Sequence, residues 1–266
     1  MKKLTLLLIT CASCASFAAD TLTFGVVPQQ SASRLAEQWG PVMDYLSEQT
    51  GQKIEFGTAA DIPTFEERLA NGEYDIAYMN PYHYTVFSAK PGYKAMAKAK
   101  DKRIKGIIVV RKDQNIQSLQ QLDSQKLAFP SPAAFAATIL TQSDLNQAGV
   151  EFEPDYVSSH DSVYLSVAKG FYPAGGGVMR TFNSIPDELR DQLTPLWVTK
   201  PYTPHAIAYH PRLSASKASA IRQALQNLEN NASGKTQLKK LRIKGFVKAN
   251  DSDWDDVRAL DITVLD

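Results

Sequence analysis

Tyr74-Asp75-Ile76-Ala77-Tyr78-Met79-Asn80-Pro81-Tyr82-His83-Tyr84 contains one complete change of period. Tyr74 to Met79 is a short β-rich run, and a helix is predicted to open at Pro81. Pro81 loses nothing there, because the N–H it lacks would have no intrahelical partner in a first turn. Asn80 stands where an N-cap belongs. The stretch therefore reads as strand, cap, helix.

The same unit repeats outward on both sides. Upstream, Thr21 to Val27 is β-rich, and Leu35, Trp39, Val42, Met43 and Leu46 follow at helical spacing until Gly51. Lys53 to Phe56 is a second strand. Asp61 can cap a helix through Phe65 and Leu69 that ends at Asn71-Gly72. Downstream, Tyr93 to Ala99 and Gly106 to Arg111 are two strands with no helix between them. The second is continuously apolar, as in a strand buried on both faces. Lys126 to Phe129 leads into a predicted helix from about Ala133 to Ala148, and Asp155 to Ser158 into one from about Asp161 to Lys169. Phe171 to Met179 reads as a strand plus a glycine-rich turn. Strands at Leu196 to Thr199 and Ile207 to Tyr209 precede a helical tail capped by Ser214.

Strands alternating with helices predict an α/β fold, with mostly parallel sheets flanked by helices. The helix-free passage near residue 104 and the stretch Thr199 to Ala206 are the expected crossings between two lobes. Lobe one is expected over 19–104 and 206–266, lobe two over 105–205. Two crossings allow hinging about a cleft.

The first 18 residues carry an export-signal pattern: Lys2 and Lys3, apolar Leu4 to Ile9, and Ser16-Phe17-Ala18 as a cleavage site. This predicts export to the periplasm and a mature chain without cysteine, since Cys11 and Cys14 both lie in that segment. A weak lipobox makes lipid attachment the minority reading. Thiolate metal sites and disulfides are then excluded, and no cofactor is expected. The full chain has 29 basic and 28 acidic residues. That balance offers no footprint for nucleic acid or an anionic membrane.

Ligands of open α/β sheets sit beyond the carboxyl ends of strands, at helix N-termini. Four such ends stand out. Gln29 follows the first strand. Asn80, Tyr82 and His83 follow the third, where aromatics with polar tips make good cleft walls. Ser131 precedes Ala133, Ala134, Phe135 and Ala136, small residues that allow close approach to backbone N–H groups. His160 sits at a strand-to-helix junction. Arg180, after the glycines, is a further candidate for neutralising charge. No G-x-S-x-G, H-E-x-x-H or P-loop motif is present, and the four histidines are far apart, so no catalytic residues or metal ligands are assigned and the chain is not expected to be an enzyme.

These marks together resemble the phosphate/phosphite/phosphonate-type substrate-binding proteins of bacterial ABC transporters. They are Phe24-Gly25, Gln38-Trp39-Gly40-Pro41, Tyr74 to Tyr78 with Asn80-Pro81, Ser159-His160-Asp161-Ser162, and Val167 to Gly170. The resemblance implies a two-lobed type II periplasmic binding protein that captures a small oxyanion and passes it to an inner-membrane permease. A sensor of the same fold, presenting its ligand state to a membrane histidine kinase, is the alternative. The resemblance also puts His205 among the candidate ligand contacts, and it implies serine and threonine hydroxyls at the positions of Ala133 to Ala136 and an acidic residue near His205. This chain has neither. Two lost hydrogen bonds to a charged group amount to roughly 3–6 kcal/mol.

Overall fold

The computed structural model describes residues 21–265. The expected export signal over 1–18 and both cysteines lie outside the described residues.

The chain begins β1 (Leu22–Val26), α1 (Ala32–Thr50), β2 (Ile54–Gly57), α2 (Ile62–Ala70), β3 (Ile76–Met79), α3 (Pro81–Ala89) and β4 (Lys94–Ala99). It then makes β5 (Gly106–Arg111), β6 (Gln125–Phe129), a π-helical segment (Phe135–Leu140) running into α4 (Thr141–Gln147), β7 (Phe152–Tyr156), α5 (His160–Ala168), β8 (Ala174–Val178), the short α6 (Met179–Phe182) and α7 (Asp187–Arg190), and β9 (Leu193–Val198). It closes with β10 (Ala206–Tyr209), α8 (Ala215–Asn227), α9 (Ala232–Lys240), β11 (Phe246–Lys248) and α10 (Asp255–Arg258).

Local chemistry accounts for the helix ends. Ser31, Asp61, Asn80, Ser159 and Ser214 each accept a hydrogen bond from a backbone N–H of the first turn that they cap. Gly51 ends α1 at φ 64°, a conformation that costs glycine no Cβ clash. The predicted stripe Leu35, Trp39, Val42, Met43 and Leu46 is the buried face of α1.

The strands form two sheets, β11-β4-β10-β3-β1-β2 and β7-β6-β8-β5-β9. Strands linked by helices pair in parallel: β1 with β2 and β3, and β6 with β7 and β8. The sheets are mixed, because strands entered from a crossing without a helix run against their neighbours. β10 is antiparallel to β3 and β4, and β5 to β8 and β9. The segments between sheets, after β4 and before β10, pair with each other. Ile104 and Tyr202 exchange backbone hydrogen bonds of 2.8 and 2.9 Å.

β5 shows why a continuous apolar run was written there. Ile107 and Val109 join one core cluster, and Ile108 and Val110 another. The glycines of Gly175-Gly176-Gly177 lie inside β8, not in the expected turn. A Cβ at Gly176 would overlap the carbonyl oxygen of Ala137, and one at Gly177 the Tyr164 hydroxyl. Helices press so closely on both faces of β8 that only backbone fits. The expected helix from Ala133 starts two residues later, and its first stretch is π-helical. There the backbone approaches Gly106 and Gly176, with Thr141 Oγ1 donating to the Ala137 carbonyl at 2.7 Å.

Gly176→Ala should therefore destabilise the protein by about 1–3 kcal/mol, the usual cost of overpacking. Gly40→Ala, in α1 with open space around the added methyl, should stabilise it by about 1 kcal/mol. Urea midpoints measured on both variants check the two signs.

Candidate ligand-binding site

The strand ends converge on the seam between the sheets. The loop after β1 delivers Gln29, the end of β3 delivers Asn80, and the loop after β6 delivers Ser131 to Phe135. The turn after β7 delivers His160, the end of β8 delivers Arg180, and the second crossing delivers His205.

Gln29 is buried and joins four segments. Its backbone carbonyl accepts from His160 N–H at 3.2 Å. Its side-chain oxygen accepts from Arg180 Nη2 at 2.6 Å, and its amide nitrogen lies 3.0 Å from His205 Nε2. With Arg180 on the oxygen, the amide N–H donates to His205, whose proton then sits on Nδ1. Asn80 spans the same seam: Oδ1 caps α3 by accepting from His83 N–H at 2.8 Å, while Nδ2 donates to the Ala133 carbonyl at 3.1 Å. Arg34 and Asp161 pair across the seam at 3.3 Å.

Not all the predicted residues meet. Gln29, Asn80, Ala134, Phe135, Ala136, His160 and His205 line one narrow gap of about 10 Å³. Ala133 is buried beside them. Ser131 is buried with its hydroxyl unpaired among the described residues. His83 and Tyr82 face away from that gap. His83 is fully enclosed, with Nε2 2.8 Å from Glu66 of α2, and the Tyr82 hydroxyl accepts from the Leu265 N–H at 2.8 Å. Both follow a strand end, but the helical turn rotates them towards lobe one's own core and tail.

Phe135 is buried in the seam, edge-on to Tyr202 at 5.6 Å, and it packs into the core of the first lobe. An apolar ring thus occupies the place where hydroxyls were implied by the resemblance. Thr138, three residues on, keeps a buried hydroxyl without a partner among the described residues.

The charges are arranged in one sense. Burial pushes His160 down to about 3, with Arg180 adding to the effect. Burial likewise holds His205 well below the ordinary histidine value, helped by Arg180, His83 and His160. Both rings are neutral at neutral pH. Arg180 is the charged group beside them, and among the described residues no carboxylate lies within ion-pair distance of it. Tyr78, which is not among the predicted site residues, stacks on His205 at 4.8 Å. Burial raises its hydroxyl pKa, Arg180 opposes that, and the hydroxyl has no hydrogen bond among the described residues. Its position inside a strand buried on both faces carried no signal in the sequence.

Residues 24–254 match the family described as ABC transporter, phosphonate, periplasmic substrate-binding protein. The chain belongs to this family. Relatives bear out the fold and show how far this member has diverged. The phosphate-import protein PhnD of Mycolicibacterium smegmatis is 24% identical over 184 residues, 59% of this chain and 54% of that protein. The matched region thus spans about half the length of that relative. A binding protein component of an ABC phosphonate transporter from Pseudomonas aeruginosa superposes with a TM-score of 0.84 at 18% identity, covering 91% of this chain and 85% of that one. PhnD1 from Prochlorococcus marinus, in complex with methylphosphonate, gives 0.83 at 20% identity, covering 90% and 96%. Membership agrees with two flanked sheets joined by two crossings. Among the described residues no helix is long and apolar enough to cross a membrane, and no cluster of side chains suits a metal ion.

Because His160 is neutral in the fold and titrates near 6.5 once unfolded, the unfolded chain takes up the extra proton as pH falls. Stability is full above about pH 6.5 and drops below it. Between about pH 7.5 and 5.5, His160→Gln should lose about 1.4 kcal/mol less stability than the wild type, read from urea midpoints at the two pH values. An equal loss in both proteins would contradict the assignment.

Proposed function

We propose that this protein is the periplasmic capture component of an ABC importer for small oxyanions of the phosphonate and phosphate class. After cleavage following Ala18, it takes ligand between its lobes and presents the closed form to an inner-membrane permease. The single observation that carries the anion reading is Arg180. It is a cation held at the interlobe seam by a neutral amide, between two uncharged imidazoles, with no carboxylate partner among the described residues. An anion placed against it would gain a charge-assisted hydrogen bond to a partly buried cation.

The segment with alanines in place of the implied hydroxyls retains the hydroxyls of Ser131 and Thr138, neither with a partner among the described residues. A buried hydroxyl left unbonded costs about 1–3 kcal/mol, so a ligand oxygen that met either would recover that cost. Closure follows from differential affinity. A ligand touching both lobes stabilises the form in which the Gln29, Asn80 and Asp161 contacts are made.

Thermal unfolding in the presence of phosphate, phosphite or methylphosphonate tests this reading. At about one hundred times Kd, a binding anion should add about 2.7 kcal/mol, a rise in Tm on the order of 5–10 °C. Arg180→Gln should abolish the rise. No shift with any of the three would remove the anion reading.

A further inference from the structure

The gap lined by Phe135 and His160 is nearly full, at about 10 Å³. Next to it, sharing Ile104, Val178 and His205 as lining, lies a chamber of about 460 Å³. Its walls come from the first crossing, the second crossing, the junction of β8 with α6, and the turn after α9. That volume lies in the roughly 300–1,000 Å³ range of organic-ligand pockets, whereas the first gap has no room for one.

The chamber combines a basic and an apolar lining. Lys102, Lys105, Arg180 and Arg242 line it, and no carboxylate does. Arg103 also lines it but is already paired with Asp256 at 2.8 Å. Arg242 holds only the Ser184 hydroxyl, at 3.1 Å, and neither lysine has an ion-pair partner among the described residues. Like charges gathered around a hollow repel one another unless an anion sits among them. The apolar lining is Ile104, Val178, Pro204 and Ile243, together with the stacked rings of Tyr78 and His205. The free Tyr78 hydroxyl is the polar tip of that wall.

We propose that this chamber is a ligand site for an organic phosphate or phosphonate with a flat, apolar substituent. Lys102, Lys105, Arg180 and Arg242 hold the dianionic group, and the Tyr78–His205 face takes the substituent. This rests on the anion-capture reading above and assigns that reading its specificity. The chain would then prefer phenyl phosphate to inorganic phosphate, because only the former fills the apolar wall.

The test is calorimetric titration of the full mature chain at low ionic strength with inorganic phosphate, methylphosphonate, phenyl phosphate and benzoate. Phenyl phosphate should bind at least tenfold more tightly than the other three. The double variant Lys105→Glu/Arg242→Glu should weaken phenyl phosphate by at least tenfold. Lys112→Glu, an exposed charge reversal outside the chamber, should leave it unchanged. Circular dichroism confirms that each variant is folded. If phosphate and phenyl phosphate bind equally and neither responds to the double variant, the chamber is overturned while anion capture stands. Equal binding of benzoate overturns the choice of a phosphorus dianion. If no anion binds the wild type, both readings fail together.

Discussion

The primary amide of Gln29 offers one acceptor and one donor end, and this protein employs both in the seam between its lobes. The oxygen faces Arg180 from the second lobe, the nitrogen faces His205 on a crossing, and the backbone carbonyl takes the first N–H of α5. A residue of lobe one therefore fixes the position of a cation, an imidazole and a helix start at once. Buried polar groups that satisfy one another in this way are costly to separate and specify a single arrangement. Asn80 does a smaller version of the same task, capping its own helix and holding the loop that leads to Phe135. The docking of the two sheets rests on these amides together with Phe135, which packs into the core of the first lobe, and the Arg34–Asp161 pair.

The chemistry of the seam follows from what burial does to charge. Two histidines that would be partly protonated near pH 6.5 in water are kept neutral, so they cannot act as fixed anion receptors at neutral pH. Arginine resists that pressure because its guanidinium does not deprotonate in proteins. A group able to remain charged beside the two imidazoles is thus the group best suited to meet an oxyanion. Its lack of a carboxylate partner among the described residues is informative, since a buried or half-buried cation of purely structural purpose is ordinarily paired.

Much of the fold could be read in advance because its signals are local. Asp61, Asn80 and Ser214 cap helices in the sequence as they do in space, and the α1 stripe needs only a 3.6-residue period. Two features were less legible, for different reasons. The glycines of β8 resemble a turn in any local reading; they form a strand because distant backbone at Ala137 and the Tyr164 ring leave no room for side chains. Tyr82 and His83 share a helix start with Asn80, but which way they turn depends on Glu66 and on the tail near Leu265. The site was half visible in the same sense. Gln29, Asn80, Phe135, His160 and His205 do gather. Tyr78 and the basic side chains of the crossings enter only once the second sheet is docked, for no spacing in the sequence connects them.

The π-helical stretch between Phe135 and Leu140 has one more consequence. Its turn is wider than an ordinary helical turn by about one residue. Removing a single residue there is the smallest edit that restores regular winding, and because the wide turn absorbs the extra residue, the segments on either side would keep their register. What would change is the local swelling of the backbone, where the Ala136 and Ala137 carbonyls occupy the space that side chains at Gly106 and Gly176 would need. The surplus residue and the two glycines facing it therefore form one unit, and neither can be altered freely while the other stays.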